Sequence, residues 1–451
     1  MSTVAAISTP NASGGIAVIR ISGEDALSIA DKVFRGSRSP LQMDGYTCVY
    51  GSAFDGGERL DDVILTVFRA PHSYTGEDVA EISCHGGIFV TRRILRAVLK
   101  NGAESAPPGE FTKRAFLNGK LDLTQAEAVM DIISAHGDME LKNAQSLREG
   151  AAFKKARKCS EMLMKILGDL AAWADYPEED VPEVGPQTLA AELDDVRAEL
   201  SSLIDNYDSG RIIREGIATV IVGRPNVGKS TLFNCLSGCE RSIVTDIAGT
   251  TRDIVEETVR LGDILLRLSD TAGIRETGDI IEGIGVENAQ KLMERSELVI
   301  AVFDGGCPLM VDDLDIINKI NNNNSVAVIN KSDAEQLIDI APISEKFDHI
   351  VYLSAKQSDG IDRLEREIED IFSIDSDSLS DVTATNERQK SCIDAALRYI
   401  DEARSALTNG ELLDAVTVLI DSAEQSLLEL TGEKVTENVV DEVFSRFCVG
   451  K

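Results

Sequence analysis

One octapeptide constrains this chain more than any other stretch: Gly223-Arg224-Pro225-Asn226-Val227-Gly228-Lys229-Ser230 has the P-loop spacing, which works only between a strand and a helix. Both flanks fit. Ile217 to Val222 is a short, β-branched apolar run suited to a buried strand, and Thr231 to Leu236 continues as a helix. Gly223 and Gly228 permit a sharp turn, so that successive N–H groups, Val227 to Thr231 among them, and the positive helix end converge on phosphate oxygens. Lys229 then reaches the β- and γ-phosphates, and the Ser230 hydroxyl is placed to ligate Mg²⁺.

Four further elements follow in order and select the base. Gly249-Thr250-Thr251-Arg252-Asp253 is a polar segment able to close over the γ-phosphate, with Thr251 as the second hydroxyl on Mg²⁺. A strand from Ile264 to Ser269 delivers Asp270-Thr271-Ala272-Gly273, whose aspartate holds Mg²⁺ through water and whose Gly273 N–H meets the γ-phosphate. Ser325 to Ile329 leads into Asn330-Lys331-Ser332-Asp333, where the Asp333 carboxylate accepts from guanine N1–H and the exocyclic amine. Ser354-Ala355-Lys356 supplies a backbone N–H for guanine O6. Adenine lacks that pair of donors, so the expected nucleotide is GTP.

The remaining composition narrows the setting. No run approaches the ~20 apolar residues of a membrane span, and Met1 to Ala5 lacks a basic signal-peptide start. Eight cysteines show no CxxC pair, which suits a reducing cytoplasm. A net charge of −32 argues against a protein that coats nucleic acid and confines any RNA contact to a defined patch.

In chain order, the reading is a multidomain protein. Residues 1–118 look α+β, with strands expected at Gly15–Gly23, Cys48–Phe54, Val63–Phe68 and Val79–Cys84, and an amphipathic helix from Gly87 to Leu99. Ala126 to Trp173 is helical in character, interrupted by Gly137, Gly150 and Gly168. Leu189, Leu193, Val196, Leu200 and Leu203 form one helical stripe, and Leu412, Val416, Leu419, Ala423, Leu427 and Leu430 form another. Helical material on both sides of the P-loop region implies an all-helical domain built from two segments, 119–214 and 377–451. An α/β P-loop GTPase (Ras-like) domain is inserted between them over 215–376.

Beyond the P-loop motifs, Arg20 with Gly23, Ser73 to Asp78, Cys84-His85-Gly86-Gly87, Pro108 to Phe111, Arg114 to Leu123 and the terminal Cys448-Val449-Gly450-Lys451 together resemble the tRNA-modifying MnmE (TrmE) GTPase family. The resemblance covers essentially the whole chain. It implies a folate-binding and dimerising N-terminal domain, with Arg20, Glu81 and Lys120 matching the positions for formyl-tetrahydrofolate and Lys451 nearby. It also implies a K⁺ site on Asn226, Thr245, Ile247 and Thr250; no arginine finger is evident. Ile274 stands where many small GTPases carry a water-orienting glutamine, and by resemblance Glu282 takes that role; read from sequence alone, Glu282 is a helix-start carboxylate. Cys448 is the other candidate for chemistry. Two departures from the family pattern are Val449, where isoleucine is common, and Gly283, where a basic residue is expected.

The resemblance further implies a cytoplasmic homodimer that works with an FAD-dependent MnmG partner on the wobble uridine of tRNA. The candidate phosphate contacts are Lys154 to Lys158, Arg92, Arg93, Arg96, Lys113 and Arg114. Two other readings explain the P-loop motifs equally well: a ribosome-assembly GTPase that docks RNA, and a GTPase scaffold. Folate binding discriminates against both.

Overall fold

In β2 (Ile16–Ser22), Ala17, Ile19 and Ile21 are buried while Ile16, Val18 and Arg20 are not. This period of two sets one strand face on a core and the other toward solvent. The computed structural model describes residues 1–135, 137–175, 185–204, 207–238, 256–262, 264–269, 292–320, 324–372 and 386–451. Within it, β2 joins β1 (Val4–Ile7), β3 (Phe34–Gly36), β4 (Thr47–Asp55), β5 (Glu58–Phe68), β6 (Val79–His85) and β7 (Glu104–Ser105). They form a seven-stranded sheet in the order β3-β4-β5-β6-β2-β1-β7, antiparallel except for the short β1–β7 pair. Helices Ala26–Val33 and Ile88–Lys100 cover one face, packing Leu27, Ile29, Ile94 and Val98 against Ile19, Ile21, Leu65 and Ile82.

The hairpin β4–β5 is longer than the apolar runs indicate. Its strands meet at Asp55 and Glu58 across Gly56-Gly57, so the polar stretch Glu58 to Asp62 is half a strand. The ladder holds it there, with Arg93 donating to both Glu58 oxygens at 2.9 and 2.7 Å. Apolar alternation therefore does not reveal this part of the strand.

The helical region divides where its glycines stand. Helices Leu123–Ser134, Asp138–Arg148 and Ala151–Asp175 break near Gly137 and at Gly150, whereas Gly168 is carried within the third. Pro186–Ile204 buries Leu189, Leu193, Val196, Leu200 and Leu203 as its stripe requires. In Leu413–Thr431 the buried line is Val416, Ile420, Ala423, Leu427 and Leu430. Leu412 is exposed because it caps the helix rather than entering it, and Ile420 replaces Leu419 on the inner face.

By contacts the chain forms two compact units, one of residues 1–130, 147–197 and 392–451, the other of 131–146 and 198–391. In the first, Leu413–Thr431 lies along Ala151–Asp175, so segments from either side of the P-loop region pack together. Glu424 is buried in that contact, accepts from Ser160 Oγ at 2.6 Å, and has its pKa raised by burial.

The second unit holds a six-stranded sheet of β8 (Ile217–Val222), β9 (Glu256–Leu261), β10 (Ile264–Ser269), β11 (Leu298–Asp304), β12 (Ser325–Asn330) and β13 (His349–Tyr352). Its order is β13-β12-β11-β8-β10-β9, parallel apart from the β9–β10 hairpin. Both faces are covered. Ile221, Ile300, Val302 and Val328 join one core with Leu232, Leu364 and Ile368, while Val220, Val299, Ala301 and Ile329 join another with Phe347. That is why these strands read as unbroken apolar runs. Among the described residues, no helix is long and apolar enough to cross a membrane.

Arg114, one of the candidate RNA contacts, belongs instead to the interior. It is 2% exposed, with Nη1 on Glu77 Oε2 at 2.9 Å and Nε on Glu110 Oε1 at 2.8 Å. Arg114→Met is expected to destabilise the fold by ~3–5 kcal/mol, because two half-buried carboxylates lose their counter-charge. Urea denaturation checks this, and an unchanged midpoint would contradict it. Lys113 and Arg93 are likewise occupied, by Asp441 at 2.6 Å and by Glu58.

Candidate functional site

The nucleotide site is built at the C-terminal ends of β8, β11, β12 and β13, the edge where a parallel sheet places its ligand crevice. The P-loop runs from β8 into the helix Lys229–Gly238. Lys229 Nζ donates to the carbonyls of Gly223 at 2.7 Å and Arg224 at 2.9 Å, which hold the ammonium over the loop. Burial, followed by the Arg224 charge, lowers its pKa. Ser230 and Thr231 are exposed in the first turn, and Val227 is buried beneath the loop. Gly228 has φ +99°, and a Cβ there would lie 2.3 Å from Asn330 Nδ2. Glycine is therefore required for the close approach as well as for the turn.

Asn330 ties three motifs together. Its Nδ2 donates to the Val227 carbonyl at 2.8 Å, and its Oδ1 accepts from Lys331 N at 2.8 Å and from Ala355 N at 3.0 Å. The P-loop, the Asn330-Lys331-Ser332-Asp333 loop and the Ser354-Ala355-Lys356 turn are thus held by one carboxamide. In this structure the Ala355 N–H is used internally, on Asn330. Asp333 accepts from Ser354 Oγ at 2.6 Å. That hydroxyl, then Asp333's own backbone N–H, hold its carboxyl below the usual range, so the exposed group stands as an acceptor.

Lys331 stands at φ +64° with Nζ on Asp304 Oδ2 at 2.6 Å and on the Asn226 carbonyl at 3.3 Å. Asn226 itself has φ +66° and an exposed side chain. Asp304 carries no motif signal. Its one clue in sequence is position, a carboxylate closing the apolar run Leu298 to Phe303 at the ligand edge of the sheet. Thr245, Ile247, Thr250, Thr251, Asp270, Gly273 and Glu282 lie outside the described residues.

A second cluster lies on the N-terminal sheet. Arg20 and Glu81 are register partners on β2 and β6, and Arg20 Nε meets Glu81 Oε1 at 2.8 Å. The Arg20 guanidinium lies 5.4 Å from the Phe111 ring centroid and 5.6 Å from that of Tyr74. The C-terminal tail reaches the same place: the Gly450 carbonyl is 3.5 Å from Arg20 Nη1, and Phe111 N donates to the Lys451 carbonyl at 3.2 Å. Gly450 has φ +95° and a Cβ there would stand 2.4 Å from the Ile7 carbonyl, so no other residue passes β1 at this point. Burial, then Arg20, lowers the pKa of Lys451. Arg20, Glu81 and Lys451 are therefore brought together. Lys120 has a different neighbour, with Nζ on the Pro71 carbonyl at 3.1 Å. Cys448 is exposed, and its carbonyl accepts from Gly109 N at 3.4 Å.

The parallel sheet, the P-loop and the Asn330-Lys331-Ser332-Asp333 loop fastened to it define a P-loop GTPase. Residues 3–120 match the N-terminus of GTP-binding protein TrmE, and residues 123–448 match the MnmE helical domain. Over the whole chain it is 40% identical to the tRNA modification GTPase MnmE of Clostridioides difficile and 41% identical to that of Acetivibrio thermocellus, covering 99% of each relative. This chain belongs to the MnmE (TrmE) family. Among solved structures, the G domain of the T. maritima FeoB iron transporter aligns over 34% of this chain and 98% of its own at 21% identity with a TM-score of 0.26.

Proposed function

We propose that this chain hydrolyses GTP in the modification of wobble uridine at C5 in tRNA, as a K⁺-stimulated homodimer working with an FAD-dependent MnmG partner in the cytoplasm. The observation that carries the reading is the presence, in one chain, of a P-loop with the acceptor carboxylate of Asp333 on the adjoining loop and of the Arg20–Glu81–Lys451 cluster on a separate sheet. The domains in this reading are 1–118 for folate binding and dimerisation, 119–214 and 377–451 for the helical domain, and 215–376 for the GTPase insert.

The residues suit their groups. Glu81 offers acceptor oxygens to the amino and ring N–H donors of a pterin, while Arg20 and Lys451 offer cations and Phe111 and Tyr74 offer ring faces. Lys120 would meet the ligand from the neighbouring loop. Formyl-tetrahydrofolate would supply a one-carbon unit, and Cys448 stands near enough to Lys451 to share its environment. A homodimer is supported by the open face of the same sheet, where Ile16, Tyr50 and Ile64 are exposed alongside Arg20 and Glu81.

In the GTPase site, Lys229 and the P-loop amides would hold the phosphates, Ser230 and Thr251 would hold Mg²⁺, and Glu282 would orient the attacking water. The K⁺ on Asn226, Thr245, Ile247 and Thr250 would offset charge developing between the β- and γ-phosphates. GTP turnover is expected to be at least about 10-fold faster in KCl than in NaCl, with Asn226→Ala losing the difference. Equal rates in the two salts would refute the cation role. Loss of formyl-tetrahydrofolate binding in Arg20→Ala, measured by calorimetry, tests the folate role separately.

A further inference from the structure

We propose that Asp304 is a positioning residue for nucleotide binding: its carboxylate holds the Lys331 ammonium between the Asn330-Lys331-Ser332-Asp333 loop and the P-loop, and so sets the crevice before a nucleotide arrives. The inference rests on the reading of these two loops as the guanine nucleotide site. Asp304 closes β11, and the turn behind it is fastened by backbone alone to the loop after β12. Gly305 N donates to the Asn330 carbonyl at 2.9 Å, and the Gly305 carbonyl accepts from Leu337 N at 2.8 Å. A Cβ at Gly305 would lie 2.1 Å from Gln336 Oε1 and 3.0 Å from the Asn330 carbonyl, so glycine is what lets the two loops come this close. Gln336 Nε2 in turn donates to the Lys331 carbonyl at 3.1 Å. The backbone on either side of the Asp304–Lys331 contact is therefore fixed independently of the two side chains that make it.

Both oxygens of Asp304 are committed. Oδ1 accepts from Gly306 N at 3.0 Å, which orients the carboxylate, and Oδ2 takes Lys331 Nζ at 2.6 Å. Arg224, the other cation nearby, stands 4.0 Å from Oδ2 and directs its own donors to Asp313 at 3.1 Å and to Cys307 Sγ at 2.8 Å, so Lys331 is the partner of this carboxylate. From there Nζ reaches the Asn226 carbonyl at 3.3 Å, and one lysine side chain spans from the loop of Asp333 to the P-loop. Lys331 and Asn226 both stand in left-handed backbone, which residues with side chains keep only where their surroundings hold them. Among the described residues, the Asn226 carbonyl is the one other group on this ammonium. Without the carboxylate, a lysine side chain that is 43% exposed regains its rotamers, and the cost of ordering it falls on nucleotide binding.

The test is a double-mutant cycle on the affinity of fluorescent GDP for the full chain, with Asp304→Asn, Lys331→Ala and the two combined. Asparagine keeps the shape of the side chain and an acceptor for Gly306 N, and removes the charge that holds the lysine. Each single change is expected to weaken GDP binding about 10-fold, and the double variant to bind no more weakly than Lys331→Ala, since Asp304 acts only through the lysine. A double variant about 100-fold weaker than the parent overturns the proposal, because a residue that supports the loop by itself would add its loss to that of Lys331. An Asp304→Asn protein that binds GDP like the parent overturns it as well. Should Asp304→Asn not fold, Asp304→Ser takes its place in the same cycle. A parent that binds no GDP refutes the nucleotide site and the proposal with it, whereas a parent that binds, with losses that multiply, overturns the positioning role alone.

Discussion

Asp333→Asn is expected to lower kcat/KM for GTP by on the order of 10⁴ and to make xanthosine triphosphate the better substrate. Guanine presents two N–H donors side by side, and Asp333 is an exposed carboxylate whose ionised form is stabilised by the Ser354 hydroxyl at 2.6 Å. An asparagine replaces one acceptor oxygen with an N–H₂, which opposes the guanine amine but matches the carbonyl that xanthine carries at that position. Once the base is seated over the exposed carboxylate its N–H donors are shut off from water, and leaving one unmatched there is the costly case, hence the size of the effect. Because the carboxyl is held below its usual range, base recognition should also persist to lower pH than an ordinary aspartate allows, and fail as pH falls through that depressed value. Steady-state kinetics with both nucleotides decides the matter. GTP turnover within 10-fold of the parent would show that Asp333 does not read the base.

Lys229→Ala is the second large effect, a loss in kcat on the order of 10³ with the fold retained. Its ammonium is the one charged side chain of the P-loop held on the loop's own carbonyls, at 2.7 and 2.9 Å from the Gly223 and Arg224 oxygens. Those bonds keep it desolvated and aimed before phosphate arrives, so it acts without reorganisation when charge develops. Burial lowers its pKa for the same reason that it sharpens its field. The two carbonyls it leaves lie at a loop open to water, so stability should change little. Single-turnover GTP cleavage measures the effect, and a rate within 10-fold of the parent would contradict it.

Much of the site was legible because its chemistry demands particular residues at fixed separation along the chain. A phosphate cradle needs glycines and a lysine within one turn, and Lys229 and Ser230 follow from that local requirement, while Asn330 and Asp333 follow from a second short motif of fixed spacing. Strands β8 and β12 were equally plain, since burial on both faces forces continuous apolar runs, whereas β11 was not singled out from sequence. The polar half of β5 was not, because a backbone ladder holds it and leaves no trace in side-chain pattern. Arg114 misled in the opposite direction: composition marks it as a surface charge, whereas Glu77 and Glu110, 37 and 4 residues away in sequence, enclose it.

The sequence by itself determined the nucleotide class, the helical stripe from Leu189 to Leu203 and the family resemblance, all of which rest on spacing over a few residues or on long matched stretches. Only the tertiary structure decided that Arg20, Glu81 and Lys451 share one place, that Asn330 fastens three loops, and that Arg224 faces Asp304, Cys307 and Asp313. The tail that brings Lys451 there also sets the Gly450 carbonyl against Arg20, a contact between residues 430 positions apart. Nothing local specifies such contacts; they exist because β-strand order and helix packing carry distant segments to a common edge, where charge and hydrogen-bond geometry then select the partners.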